Sequence, residues 1–149
     1  MKTTLGIAIA LILVIASVSV SYTQTSRKAP PPTPRDADIA RGKYLVEEVA
    51  KCTECHTPRD EQGQLDSQRW LQGAPIWITP VKPDSHWADR APALAGFLGY
   101  SDGDGEKILE KGIGPNGVDI RPPMHIYHLK HEDAVAIIAY LRSLPTAPR

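Results

Sequence analysis

The residues best suited to chemistry lie in one short stretch, AKCTECHTP, at residues 50–58. It contains both cysteines of the chain, Cys52 and Cys55, and His56 follows the second cysteine directly. Two thiols at this spacing beside an imidazole can form a redox-active dithiol, half of a zinc site, a structural disulfide, or a covalent attachment site for haem. The rest of the chain must decide among these four chemistries.

The three alternatives without haem each lack a feature that they need. A thioredoxin-like dithiol lies at the N-terminus of a helix that follows a strand, whereas here a predicted helix precedes the motif. A structural zinc site usually takes two pairs of ligands, and the chain has a single pair of cysteines. A disulfide between Cys52 and Cys55 would close so small a loop that it would stabilise the fold very little.

Covalent haem attachment fits the stretch best. Each thiol adds across one vinyl group of the haem, and the two residues between Cys52 and Cys55 match the separation of those groups. His56 then lies beneath the iron as the proximal ligand. The motif therefore predicts one haem c, bound covalently by Cys52 and Cys55 with His56 on the iron.

A second axial ligand is expected further along the chain. Apart from the initiator, the chain has one methionine, Met124, in the stretch IRPPMHIYH. A thioether is a soft ligand that raises the haem potential, and Pro122 and Pro123 restrict the backbone just before it. A core position for Met124 is the plainer alternative, and bis-histidine ligation is another, with candidates His86, His125, His128 and His131.

Helices are predicted on both sides of the motif. Apolar spacing predicts a first helix over residues 37–51, capped by Asp36 or Asp38, with Gly42 as a point of close packing. Ser101 and Asp104 resemble a capping box before a short helix that ends at Gly112. The strongest apolar stripe predicts a last helix over residues 131–144.

The middle of the chain predicts long loops. Prolines and glycines punctuate residues 57–93, and so long a loop must wrap something to be ordered. A short helix is expected in PALAGFLGY at residues 92–100, and no strand is convincing. The domain therefore reads as all-α with long loops, and a large bound cofactor would organise its core.

The charge balance excludes one class of partner. Lys plus Arg equals Asp plus Glu, at 17 each, and there is no basic run. We therefore expect neither nucleic-acid binding nor strong electrostatic steering of partners.

The N-terminus directs the chain across a membrane. Lys2 precedes an apolar run over residues 5–20, which fits a signal peptide or a membrane anchor over residues 1–22 better than a buried helix. A proline-rich linker over residues 23–36 favours the anchor, because a freely diffusing domain gains little from a stiff spacer. The folded domain is predicted over residues 37–146.

The chain resembles a class I cytochrome c. The resemblance lies in Cys52-Thr-Glu-Cys55-His56 after a helix, in Pro122-Pro123-Met124, and in the last helix, EDAVAIIAYLRSLP. The stretches RGKYLVEEVAKCTECHTPRD and PPMHIYHLKHEDAVAIIAYLRSL are similar to single-haem cytochrome domains of bacterial dehydrogenase complexes. Gly42 and Tyr140 look like the family's packing pair where the first and last helices cross, whereas Lys130 stands where the family usually has a Ser or Asp cap.

The resemblance implies helices packed around one covalently bound haem c, with His56 and Met124 as axial ligands. It implies an electron carrier rather than an enzyme, serving redox partners such as a dehydrogenase, oxidase or reductase. Its place would be the periplasmic side of a bacterial inner membrane, anchored by the N-terminus or soluble after cleavage. The alternatives are a gas sensor with a displaceable Met124 and, more remotely, a haem peroxidase.

Several side chains are candidates for the haem periphery. Both Trp77 and Trp87 are expected to pack against the haem edge. The candidate donors to the haem propionates are these two indoles together with Arg59, Arg90 and Tyr100.

Overall fold

The computed structural model describes residues 33–146. The predicted signal peptide or anchor, and most of the predicted linker, lie outside this range. Within the described range, no helix is both long and apolar enough to cross a membrane.

The described residues form four α-helices joined by long loops and short turns. The helices are α1 (Pro34–Tyr44), α2 (Thr53–His56), α3 (Asp102–Lys111) and α4 (His131–Ser143). A π-helical turn, Leu45–Val49, continues α1, and single 3-10 turns lie at Ser67–Arg69, Ala95–Phe97 and Pro115–Gly117. The prediction of a mostly helical, loop-rich domain is confirmed.

The first helix begins earlier than predicted. Thr33 is its N-cap, so the expected caps Asp36 and Asp38 were wrong. The Thr33 hydroxyl accepts from the Asp36 amide at 3.2 Å, and the Asp36 carboxylate accepts from the Thr33 amide at 3.2 Å. Pro34 suits the first helical position because its missing N–H would be unpaired there in any case.

The middle of the chain holds one short antiparallel ladder, which the sequence did not predict. Strand β1 (Ala74–Pro75) pairs with β2 (Arg90–Ala91), with Ala74 opposite Ala91. Two residues on each strand are too few for an alternating pattern to show. The helix expected in residues 92–100 is only the turn Ala95–Phe97, because Gly96 adopts a left-handed conformation with φ of 73°.

The last two helices follow the sequence closely. Ser101 and Asp104 form the predicted capping box of α3, and Gly112 ends that helix in the left-handed conformation with φ of 71°. Helix α4 starts after Lys130, whose side chain makes no capping hydrogen bond. The expected weak N-cap is therefore present.

Helices α1 and α4 cross in close contact at Gly42. A Cβ atom at this position would lie 1.9 Å from the carbonyl oxygen of Ala136 and 2.8 Å from the Cβ atom of Tyr140. The prediction that Gly42 is a packing point, paired with Tyr140, is confirmed. Around the crossing lies the apolar core, formed by Leu45, Val46, Leu71, Ala95, Phe97, Leu109, Ala134, Ile137, Ile138, Tyr140 and Leu141.

Candidate cofactor site

A cavity of about 540 Å³ lies beside this core. Pockets that bind small molecules and cofactors usually measure roughly 300–1,000 Å³ and have mainly apolar walls. The wall of this cavity includes the apolar side chains of Ile76, Leu94, Phe97, Leu109, Ile137 and Leu141. Its size and lining fit a large, flat, apolar ring such as haem.

Both predicted attachment cysteines and both predicted iron ligands line this one cavity. Cys52, Cys55 and His56 border it from the attachment motif, and Met124 borders it from the loop before α4. Met124 lies 68 residues after His56 in the chain. Folding therefore brings together the two segments that the sequence singled out.

The motif is held against the end of the first helix. The Cys52 amide donates to the Val46 carbonyl at 2.9 Å, and the His56 amide donates to the Cys52 carbonyl at 2.9 Å. These bonds make residues 52–56 one helical turn, so both cysteines and the histidine border the same cavity.

The thiol environment argues against the redox dithiol. Burial raises the pKa of Cys52 to about 11. Burial, and then the charge of Glu54, raise the pKa of Cys55 as well. Reactive thiols need a depressed pKa because the thiolate is the nucleophile. The two sulfurs are not joined in a disulfide.

His56 is buried and oriented by a backbone carbonyl. Its Nδ1 lies 2.7 Å from the Pro92 carbonyl oxygen, which can only accept, so Nδ1 carries the proton and Nε2 keeps a free lone pair. Burial lowers the pKa of His56, and the bond to Pro92 opposes this only in part. A neutral ring fixed in this way suits a metal ligand.

Sequence reasoning missed the Pro92 carbonyl because the two residues are 36 positions apart. It also missed Thr57, a buried side chain whose hydroxyl accepts from the Leu71 amide at 3.0 Å. The His56 carbonyl in turn accepts from the Gly73 amide at 2.8 Å. Together, these bonds hold His56 and Thr57 against residues 71, 73 and 92.

The rival histidines are less well placed than Met124. His125 lines the cavity but is exposed, and its ring packs on Tyr127 with 4.0 Å between centroids. His131 pairs with Glu110 at 3.0 Å, outside the cavity wall. His86 and His128 are exposed and do not line the cavity.

Both tryptophans bond to backbone carbonyls through their indole N–H groups. Neither Trp77 nor Trp87 lines the cavity. The Trp77 indole donates to the Glu54 carbonyl at 3.2 Å, and the Trp87 indole donates to the Ile78 carbonyl at 3.3 Å. These indoles therefore help to fix the loop between β1 and β2.

The expected propionate donors lie at the cavity only in part. Arg59 pairs with Glu54 at 2.8 Å and does not line the cavity, whereas Arg90 and Tyr100 do. Arg121, which sequence reasoning missed, lines the cavity and donates to the carbonyls of His86 at 2.9 Å and Trp87 at 2.8 Å.

Among the described residues, Arg90 and Arg121 lack the carboxylate partner that Lys51, another charged residue of the cavity wall, has. Lys51 pairs with Glu48 at 3.1 Å. Neither arginine has a carboxylate partner within 4 Å among residues 33–146, although Asp119 is also part of the cavity wall. Two uncompensated guanidinium groups beside an apolar cavity suit a ligand that is flat, apolar and carries carboxylates.

The zinc alternative finds no support in the described part of the chain. There, no group of three or more His, Cys, Asp and Glu side chains is arranged to hold a metal ion.

Comparison with known proteins agrees with this geometry. The family model for cytochrome c matches residues 39–145. The chain is 37% identical to a diheme cytochrome c-type protein of Cereibacter sphaeroides over 114 residues, which are 70% of this chain and 35% of that protein.

Two further relatives are subunits of dehydrogenases. A fructose dehydrogenase cytochrome subunit of Gluconobacter japonicus is 35% identical over 117 residues, 72% of this chain and 22% of that subunit. The cytochrome c subunit of a quinone alcohol dehydrogenase from Komagataeibacter europaeus is 30% identical over 126 residues, 76% of this chain and 26% of that subunit. The chain thus spans about a third or less of each relative.

The family match covers most of the chain and nearly all of the described residues. It confirms the predicted haem c cofactor and the prediction of an electron carrier rather than an enzyme. The chain belongs to the cytochrome c family, whose members transfer electrons through covalently bound haem c.

Proposed function

We propose that this domain carries single electrons through one haem c whose axial ligands are His56 and Met124. The observation that supports this most is the shared cavity: its wall includes Cys52, Cys55, His56 and Met124. The chain has one attachment motif, which favours one haem in this domain. When bound, haem c supplies a one-electron ferric/ferrous couple.

The chain's own residues have distinct tasks in this proposal. Cys52 and Cys55 form the thioether bonds. The Pro92 carbonyl holds the Nδ1 proton of His56, so Nε2 keeps the lone pair that would bind the iron. Met124 would supply the second ligand to the iron, and the apolar wall would keep water away from the ring, which would limit reorganisation when the charge changes.

Arg90 and Arg121 are the proposed partners of the haem propionates. Both are cavity residues without a carboxylate partner in the described chain. A guanidinium–carboxylate pair is a strong, charge-assisted contact. The carbonyls of His86 and Trp87 already hold Arg121 in position, so binding would cost it little side-chain entropy.

The partner of the domain is proposed from its relatives. Two of them are named as cytochrome subunits of fructose and alcohol dehydrogenases. We propose that a dehydrogenase supplies electrons to this domain and that an oxidase or reductase accepts them. The domain would lie on the periplasmic side of a bacterial inner membrane, anchored by residues 1–22 or released after their cleavage.

The experiment is to express the chain in a host that exports it and attaches haem. The intact mass should include one haem, and a Cys52→Ala, Cys55→Ala double variant should lose it. The reduced protein should show a c-type spectrum that carbon monoxide leaves unchanged. Rapid carbon monoxide binding to the native reduced protein would contradict the carrier and favour a gas-binding cytochrome.

A further inference from the structure

One side-chain hydrogen bond joins the two segments that supply the proposed axial ligands. The Tyr127 hydroxyl donates to the Ala50 carbonyl at 3.0 Å, across 77 positions in sequence. Ala50 lies two residues before Cys52, and Tyr127 lies three residues after Met124. The bond therefore crosses from the methionine loop, residues 113–130, to the segment that leads into the attachment motif.

We infer that Tyr127 is a positioning residue that holds the methionine loop over the cavity and keeps Met124 in place on the iron. This inference rests on the proposed ligation by Met124 and adds the hydrogen bond that would maintain it. Tyr127 does not touch the metal in this role. Its effect reaches Met124 through the loop backbone.

The other connections of the methionine loop lead elsewhere. The Ile120 amide donates to Gly112 at 2.9 Å and the Leu129 amide donates to Leu109 at 3.2 Å, which tie the loop to α3 and its end. The Pro122 carbonyl accepts from the Ala88 amide at 2.7 Å. Within residues 33–146, Tyr127 makes the one hydrogen bond between this loop and residues 45–57.

The Ala50 carbonyl, which accepts this bond, lies at a helix end. Ala50 ends the π-helical turn, with its amide bonded to the Leu45 carbonyl at 2.8 Å. Carbonyl groups at the end of a helix have no partner within the helix. The Tyr127 hydroxyl satisfies this one, so the same bond completes the helix end and fastens the loop.

The Tyr127 ring extends the connection toward Met124. It is half-buried in the cavity wall, and the ring of His125, the residue next to Met124, packs on it with 4.0 Å between centroids. Burial raises the pKa of Tyr127 to about 12, so the hydroxyl stays protonated and able to donate at physiological pH.

The test is displacement of Met124 by imidazole in the oxidised holoprotein. Loss of the far-red sulfur-to-iron absorption band would be followed as imidazole is added at constant pH. The Tyr127→Phe variant keeps the ring and removes only the hydroxyl. Loss of one hydrogen bond should lower the imidazole concentration for half-displacement by roughly two- to tenfold.

Tyr44→Phe is the matched control. Tyr44 is exposed, and its hydroxyl makes no hydrogen bond within the described residues. Its titration should equal that of the wild type. A Tyr127→Leu variant also removes the ring that packs on His125. Its Met124 should be displaced at a lower imidazole concentration than that of Tyr127→Phe.

The outcomes separate this inference from the ligand proposal. If the wild type shows the sulfur band and Tyr127→Phe titrates like the wild type, Tyr127 does not position the loop. The inference is then overturned, while ligation by Met124 stands. If the wild type has no sulfur band, Met124 is not the ligand and both are overturned. A loss of folding stability without easier displacement would reduce Tyr127 to an ordinary structural residue and also contradict the inference.

Discussion

The α1–α4 crossing and the methionine loop are built in opposite ways. At the crossing, the backbone at Gly42 packs against the backbone of Ala136 and the Cβ atom of Tyr140, and Val46 and Ile137 are 0% and 1% exposed. The methionine loop has one short 3-10 turn and one isolated bridge between Ile113 and Asp119, and Met124 itself is half-buried. Packing holds the first region, whereas the second is held mainly by hydrogen bonds, with Leu129 packed against the core.

The difference means that the two proposed axial ligands depend on different parts of the fold. His56 follows the packed crossing and is fixed by Pro92. Met124 depends on a segment that can open locally at lower cost, because local opening free energies are smallest where buried apolar contacts are few. Damage to the crossing should unfold the domain, while damage to the loop should first release the methionine.

The largest effect is expected from Gly42→Ala. The added Cβ would meet the Ala136 carbonyl oxygen at 1.9 Å, and backbone cannot move aside as a flexible side chain can. We expect a loss of about 3 kcal/mol in the free energy of unfolding, at the upper end of overpacking costs. Denaturant unfolding of the holoprotein measures it.

Gly103→Ala is the control for this prediction. Gly103 also lies in a helix, but a Cβ there would have no neighbour closer than 4.0 Å. This variant should be as stable as the wild type or slightly more stable. Equal stability of the Gly42 and Gly103 variants would refute the tight crossing.

An intermediate effect is expected at Glu47, a mostly buried carboxylate beside the crossing. It accepts from the Tyr140 hydroxyl and from the Trp70 indole at 3.3 Å, and it pairs with Lys43. Burial alone would raise the pKa of Glu47, but the hydrogen bonds from Lys43, Tyr140 and Trp70 outweigh it, and the pKa is lowered.

The sign of the pH dependence follows from that direction. A carboxylate with a lowered pKa in the folded state stabilises the fold above its ordinary pKa of 4.5 and loses this contribution as the pH falls through the folded value. Glu47→Gln should cost about 1 kcal/mol at neutral pH and flatten the acid decline in stability. Glu48→Gln, an exposed neighbour, should keep the wild-type pH profile.

The smallest effect is expected at the start of α4, just after the methionine loop. His131 and Glu110 pair at 3.0 Å on the surface, and the hydrogen bond to Glu110 raises the pKa of His131. Their contribution is present below the ordinary histidine pKa of 6.5 and is lost as the pH rises through the folded value. Since exposed pairs contribute little, His131→Gln should shift the unfolding midpoint only slightly at pH 6 and not at all at pH 9.

What the sequence predicted well is local. The capping box of α3 and the apolar stripe of α4 are each contained in a few adjacent turns. The spacing of Cys52, Cys55 and His56, from which haem attachment is proposed, is just as local. Met124 could be proposed as a ligand because the chain offers no other methionine beyond the initiator. Local patterns of this kind survive folding because tertiary contacts reinforce them.

What the sequence did not predict depends on contacts between distant residues. The carbonyl that orients His56, the hydroxyl that receives the Leu71 amide and the arginine anchored beside the cavity belong to segments 14 to 36 positions apart from their partners. Backbone carbonyls occur at every residue, so no residue type marks the one that is used. The partners of the Trp77 and Trp87 indoles could not be predicted for the same reason, because both are backbone carbonyls.

The central claim is that His56 and Met124 share one haem, and the oxidised absorption spectrum tests it most directly. The far-red sulfur-to-iron band would be recorded for the wild type, for Met124→Leu and for His125→Gln as the neighbouring control. We expect the band in the wild type and in His125→Gln, and its loss in Met124→Leu with the covalent haem retained. A wild-type protein without the band, or a Met124→Leu protein that keeps it, would contradict the claim.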